Sequence, residues 1–512
     1  MKIGRVLSIS LNGIDGRPIT VEAHLAAHIP RMTIVGLPDA SVQEARDRVR
    51  AAVESCGISL PPQRITINLQ PANVPKRGSS FDLAIAVAIM LAETRREDAF
   101  AATTFIGELG LDGAIMPVRG VLPMVRAAVA AGSVDVVVSR ADEQEARLVP
   151  GARVHAFGHL SEVFLRLGIG CQPVTATPVR KDVTSLRVTE QLDMADVSGQ
   201  EEAKYALEVA AAGGHHVLLL GPPGTGKTML ASRLPGILPD LADDDAVAVT
   251  CVHSIMGTFD GQSLLRRPPF IAPHHTASRA ALVGGGSGMI GPGAISQAHC
   301  GVLFLDEAPE FPASVLQVLR QPLETGEITI HRARGSASYP ARFQLIMAAN
   351  PCPCGKAGVD NSSCECTSVQ RRRYMHALRG PLLDRIDIVT RVHPPLTTAL
   401  GRQAHSSAEI AARVELARER QCRRWAGQPF TLNAHAPGRL LRGPDSPIEP
   451  QVRARLDPLL LSGRITMRGL DRVLRLALTI ADLADKPAVG RYEIDAALTL
   501  KTGEDHAQLE RL

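Results

Sequence analysis

Gly221-Pro222-Pro223-Gly224-Thr225-Gly226-Lys227-Thr228 follows directly on the apolar run Val217-Leu218-Leu219-Leu220. A strand, a glycine loop and a Lys-Thr pair opening a helix make a cradle for phosphate. The glycines let backbone N–H groups turn inward, Lys227 brings positive charge to the β and γ oxygens, and the Thr228 hydroxyl is placed to ligate Mg²⁺. The chemistry expected is binding of a nucleoside triphosphate, ATP or GTP. Downstream, Val302-Leu303-Phe304-Leu305 ends in Asp306-Glu307. Asp306 is expected to hold Mg²⁺ through water, and Glu307 to orient and deprotonate the attacking water. Phe343-Gln344-Leu345-Ile346-Met347-Ala348 leads to Asn350, which would position water beside the γ-phosphate; the alternative is a turn residue before Pro351. Arg385, between Asp384 and Asp387, is the candidate arginine finger acting on the nucleotide of a neighbouring subunit, against an intrachain ion pair with one of those acids. Arg468, just ahead of a helical pattern, is the candidate to reach the γ-phosphate from a lid.

Two further groups carry chemistry. Cys352-x-Cys354 and Cys364-x-Cys366 lie close together, whereas the other cysteines are scattered. Their thiolates would suit tetrahedral Zn²⁺; the spacers are tighter than usual, and reduced loop cysteines are the rival. Ile328-Thr329-Ile330-His331-Arg332-Ala333-Arg334-Gly335-Ser336-Ala337-Ser338-Tyr339 reads as strand, basic glycine turn and strand. Arg332 and Arg334 at such a hairpin tip are candidate DNA contacts, with a solvated tip as the alternative. His274 and His275 are not spaced as a metal pair on a helix, and a structural or pore-loop role is expected equally.

These residues need strand ends and helix starts to hold them. With 512 residues the chain is long enough for about three domains. Residues 1–170 alternate short strands, Ile65–Leu69 and Val134–Val138, with helical patterns at Ser41–Cys56 and Ser80–Leu91, as in an α/β domain. A Pro- and Thr-rich stretch at 171–192 is the linker. Residues 193–395 form a second α/β unit with parallel-strand candidates at Val217–Leu220, Val302–Leu305 and Phe343–Ala348, and a Cys-rich insert at 351–373. Residues 396–512 are mostly helical, with apolar spacing over Glu409–Trp425 and Gly469–Ala484.

Composition bounds the partners. The net charge is only +4 and aromatics make up 3%, so a polyanion must be met by local basic clusters, and stacking is a weak route to single-stranded nucleic acid. No stretch is apolar over the length of a bilayer span and no secretory leader is recognisable, so a cytoplasmic protein without membrane contact is expected. Nine cysteines in a chain of this kind read as reduced thiols or a metal site, not a disulfide framework.

The motifs above, with Asp196-Val197-Ser198-Gly199-Gln200-Glu201-Glu202-Ala203-Lys204, Pro273-His274-His275, Asn350-Pro351-Cys352-Pro353-Cys354-Gly355 and the stretch from Pro381 to Ile388, resemble the ComM family. These are AAA+ ATPases of the magnesium-chelatase-like branch, and the resemblance spans nearly the whole chain. It implies an AAA+ αβα core with a C-terminal helical lid, ATP and Mg²⁺ as cofactors, a homo-oligomeric, hexameric ring with ATP at the subunit interfaces, and a DNA helicase role in branch migration on branched or single/double-stranded junctions. One departure stands at Pro292-Gly293-Ala294-Ile295-Ser296, where the family usually carries an acid at the position of Ala294.

Pro75-Lys76-Arg77-Gly78-Ser79-Ser80-Phe81-Asp82-Leu83 is similar to the active-site turn of Lon-type proteases, with Ser80 at the nucleophile. The lysine base of those enzymes aligns with Leu122 here, so peptidase activity is not expected. Ser80 is expected to cap its helix instead, and Lys76 and Arg77 are candidates for touching a phosphate backbone. Three function classes follow: a DNA-moving ring ATPase, a magnesium-chelatase-type motor driving metal insertion by a partner, and an ATP-dependent protease. The Lon-like front domain and the paired cysteines favour the first, and Leu122 opposes the third.

Overall fold

The computed structural model describes residues 2–503 apart from 97–99, 101, 175–176, 178, 180, 182–191, 287–289, 333–334, 358–363, 379–381, 394–404 and 445. The front domain carries β1 (Lys2–Asn12), β2 (Asp15–Ala26), β3 (Arg31–Val35), β4 (Arg64–Gln70), β5 (Thr104–Phe105), β6 (Asp135–Ser139) and β7 (Arg153–Phe157), in the sheet order β3-β4-β2-β1-β5-β6-β7. β2 is antiparallel to both β1 and β4, and the remaining pairings are parallel. Helices α1 (Ala40–Ser55), α2 (Asp82–Thr94) and α3 (Val121–Ala130) cover it. α2 is buried on every side from Asp82 to Ala92, which its near-continuous apolar sequence requires.

Two expectations for this domain fail. Ser80 does not cap α2: the cap position is Phe81, with no side-chain cap bond, and the N–H groups a Ser80 cap would use are spent, Asp82's on the Ser79 carbonyl at 3.2 Å and Leu83's on the Gly107 carbonyl at 3.1 Å. Lys76 is not a surface cation. It is wholly buried, with Nζ donating to the Pro71 carbonyl, and burial lowers its pKa. Arg77 is only partly buried, and its guanidinium lies against Gly335, so the two basic neighbours have separate fates.

In the second unit, α4 (Glu201–Gly213) leads into β8 (Val217–Leu220), followed by α5 (Lys227–Arg233), α6 (Asp243–Met256), β9 (Phe270–Ile271) and β10 (Val302–Leu305). A hairpin of β11 (Glu327–Arg332) and β12 (Gly335–Pro340) precedes β13 (Gln344–Ala349), α7 (Ser368–His376) and β14 (Ile388–Arg391). The main sheet runs β9-β10-β13-β8-β14 with every pairing parallel. β8 therefore sits between the last two strands to join the sheet. Register sets Leu220 beside Ala349, and Leu305 beside Met347. The carboxyl ends of β8, β10 and β13 thus open onto one edge, where a parallel α/β sheet binds its ligand.

Each strand divides its side chains between two cores. Val217, Leu219, Phe304, Ile346 and Ala348 face α4 and the C-terminal helices α8 (Ser407–Arg424), α9 (Met467–Leu483) and α10 (Arg491–Thr502). Leu218, Leu303, Leu305, Leu345 and Met347 face a core shared with Ile9, Leu11 and Val121 of the front domain and with Cys251 and Ile255 of α6. Continuous apolar strands are what a sheet covered on both faces needs. No helix among the described residues is long and apolar enough to cross a membrane.

Candidate active site

The glycine loop joins β8 to α5, and Gly226, with φ of 88°, turns the chain into the helix in a region open to glycine. Gly221 is needed for a different reason: a Cβ there would lie 2.3 Å from the Val392 carbonyl. At the head of α5, Lys227 Nζ donates to the carbonyls of Gly221 and Pro222, each at 2.7 Å, and to Asn350 Oδ1 at 3.1 Å. Burial lowers its pKa, while the charges of Asp306 and Glu307 work against that. One residue on, the Thr228 hydroxyl donates to Asp306 Oδ2 at 2.6 Å. The other Asp306 oxygen accepts from the Glu307 backbone N–H at 2.9 Å, so this carboxylate is oriented from two sides.

Lys227, Thr228, Asp306, Glu307 and Asn350, from three strand ends, are thereby one cluster. Hydroxyl and carboxylate stand together as a hard cation requires, and the ammonium faces the loop interior as phosphate oxygens require. The donor set fits ATP and Mg²⁺. Asn350 is no simple turn residue, since its side chain is aimed at Lys227.

Other residues join the site without having been singled out for it. Gln200, at the start of α4, donates to the Thr225 carbonyl of the loop at 3.3 Å and also to the His393 carbonyl, tying loop, helix and the segment after β14 together. His275 Nδ1 lies 3.4 Å from Glu307 Oε2. The Tyr374 hydroxyl meets the Asn350 backbone, and burial, then Glu310 and Glu307, push its pKa up to about 12. Gln200 and His275 both stand in stretches that carried the family resemblance, which was the signal available for them.

Arg385 pairs with Glu324. Asp387 is taken by Arg472 of α9. Although burial would raise the Asp387 carboxyl, His215, with Nδ1 3.6 Å away, and the Arg472 charge hold it well below the usual range. Arg472 also donates to the Arg385 carbonyl at 2.8 Å, and Lys501 of α10 to the Ile386 carbonyl at 2.7 Å, so the C-terminal helices grip this turn directly. Arg468 is exposed and 3.9 Å from Asp384, a screened contact.

Cys352, Cys354, Cys364 and Cys366 converge, with all four sulfurs within 4.8 Å of one another. The β11–β12 hairpin forms where the sequence places it, with Arg332 exposed at its end. Arg334 lies outside the described residues. Ser338 of this hairpin packs so tightly on the front domain that a Cβ at Gly13 would meet its carbonyl at 2.2 Å, and Arg77 touches Gly335. Ala294 is buried at the start of a short helix, an apolar environment in which an acid would need a partner.

Family models match three stretches: magnesium chelatase, subunit ChlI, over residues 193–400; subunit ChlI of Mg-chelatase over 21–142; and the ChlI C-terminal region over 404–501. A magnesium-chelatase description thus attaches to the front domain too, and that domain does not by itself separate the DNA motor from the chelatase motor. An uncharacterized protein of Mycobacterium tuberculosis is 46% identical over 98% of this chain and 99% of its own length. The uncharacterized protein YifB of Escherichia coli is 39% identical over 96% and 95%. The competence protein ComM of Haemophilus influenzae is 38% identical over 97% of each.

Proposed function

Because the chain belongs to the ComM/YifB family and has its magnesium-chelatase-like AAA+ core, we propose that it is a Mg²⁺-dependent ATPase that assembles as a hexameric ring and uses hydrolysis to move DNA. Helicase action and branch migration at DNA junctions are the work assigned to it. The observation that carries the ATPase reading is the meeting of Lys227 with Asn350 and of Thr228 with Asp306 across strand ends far apart in sequence.

Bound Mg²⁺·ATP supplies the phosphoryl group and the charge that neutralises its oxygens. Lys227 would leave the loop carbonyls for the phosphates, Thr228 and Asp306 would hold the Mg²⁺, and Asn350 would orient water. Glu307 takes that water's proton, with His275 on its carboxylate. Arg385 exchanges Glu324, whose side chain is largely exposed, for the nucleotide of the adjoining subunit, and Arg468 approaches from the lid. The front domain is a Lon-protease-like fold without peptidase chemistry. Supporting this, Leu122 is buried and its N–H is spent on Glu145 at 2.9 Å.

DNA contact rests on the exposed Arg332, with Arg334 two residues on in the sequence, and on a relative known as a competence protein. The competing reading, a chelatase-type motor for a metal-inserting partner, is favoured by the family descriptions over residues 193–400 and 404–501. ATP turnover with and without forked DNA separates them. Stimulation by DNA, lost in an Arg332→Ala, Arg334→Ala variant that keeps its basal ATPase, is the expected result; turnover indifferent to DNA supports the chelatase-type motor.

A further inference from the structure

The cysteine cluster is built into the wall of the nucleotide loop. Asn350, which receives the Lys227 hydrogen bond, is separated from Cys352 by a single proline. Cys352 is fully buried, and its Sγ accepts from the Ala357 N–H at 3.4 Å, as a ligating thiolate does. The chain turns back at Gly355, whose N–H donates to the Cys352 carbonyl at 2.9 Å and whose φ is 76°. Gly355 then lies flat on the loop: a Cβ there would come 2.5 Å from Pro223 Cδ and Cγ. On the far side of the cluster, Arg371 Nε of α7 donates to the Cys366 carbonyl at 3.1 Å, and Tyr374 of the same helix meets the Asn350 backbone.

Cys352 Sγ is 3.3 Å from Cys354 Sγ and 3.6 Å from Cys364 Sγ, and Cys354 and Cys364 are 3.6 Å apart. One Zn²⁺ with bonds of about 2.3 Å spaces its sulfurs about 3.8 Å apart. An iron–sulfur cluster holds its outer thiolates farther apart than this cage allows. We propose that Cys352, Cys354, Cys364 and Cys366 bind one Zn²⁺ as a tetrathiolate, and that this ion holds Gly355 against Pro223 and Asn350 beside Lys227, so that zinc loading sets nucleotide affinity. The coupling half of this rests on the nucleotide-binding reading above; the metal half stands without it.

The tests are metal content of the purified full chain by mass spectrometry and binding of a fluorescent ATP analogue with Mg²⁺. The protein is expected to carry about one zinc per chain, and Cys364→Ser, Cys366→Ser to lose it, with Kd raised about tenfold. Gly355→Ala keeps all four thiols but drives a methyl into Pro223, so zinc stays and affinity falls by a similar factor. Equal zinc in the protein and its double-serine variant, or iron in place of zinc, overturns the site. Undiminished nucleotide binding by the zinc-free variant or by Gly355→Ala overturns the coupling. Lys227→Ala is expected to lose nucleotide and keep zinc. If the unaltered protein binds no nucleotide, the ATPase reading and the coupling fail together, while the metal measurement still decides the site.

Discussion

Glu307 stands at φ of 49°, a left-handed conformation that a glutamate adopts only when its surroundings enforce it. The enforcement is visible: its N–H is fixed on Asp306 and its carboxylate lies on His275. The two adjoining acids are held differently despite their shared chemistry. Asp306 is held by Thr228, whereas Glu307 remains half exposed and able to meet water. Glu307→Gln preserves shape while removing the base. It is expected to bind Mg²⁺·ATP within about twofold of the unaltered protein and to lose at least about a hundredfold in turnover, measured by phosphate release. A variant that hydrolyses at the original rate would assign the proton transfer elsewhere. Much of this site was legible beforehand because glycine loops and acids at strand ends carry their conformational reason within a few residues. Arg385 with Glu324 was not, since that pair depends on how distant elements pack. Lys76 was misread for the same cause: nothing local distinguishes a buried lysine from a solvated one.

At the scale of elements, α6 is the strut between the front domain and the nucleotide core. Its Ser254 carbonyl accepts from the Gly120 N–H at 3.2 Å, and its Ser254 hydroxyl bonds Glu145, which also takes Leu122 and Lys181. Adjacent His253 is enclosed, with Nε2 3.1 Å from the Gln297 carbonyl and Nδ1 2.9 Å from the Thr258 hydroxyl. Burial pushes its pKa down to about 4, from the ordinary 6.5. The unfolded chain therefore binds this proton first as the solution is acidified, and the folded state loses stability as pH falls from 6.5 toward 4. His253→Gln can keep both hydrogen bonds without titrating. The stability difference between the two proteins, from urea unfolding, is expected to shift in the variant's favour by up to about 1.4 kcal/mol per pH unit through that window. A constant difference would mean that His253 is protonated equally in both states. The core strands Val217–Leu220, Val302–Leu305 and Phe343–Ala348 were legible from their apolar runs, but α6's contacts with the front domain were not, because no periodicity states which face meets which domain.

For the whole molecule, the decisive question is whether the nucleotide is completed by a second copy. Within one chain, Lys227 is met by Asn350, and Arg385 is paired with Glu324 while α9 and α10 hold its backbone through Arg472 and Lys501. The C-terminal helices and the arginine turn are thus joined directly, and a shift of α9 or α10 is expected to move the Arg385 backbone. If the arginine serves the adjoining subunit, Lys227→Ala and Arg385→Ala damage opposite sides of the same interface. Each alone removes every complete site from a ring. Mixed in equal amounts with random assembly, about a quarter of interfaces pair an intact Lys227 with a neighbour's intact Arg385. Turnover by the mixture is therefore expected to exceed that of either variant alone, and to rise with the time allowed for subunit exchange. An arginine acting only inside its own chain leaves every protomer of the mixture defective, and the mixture then stays as inactive as its parts.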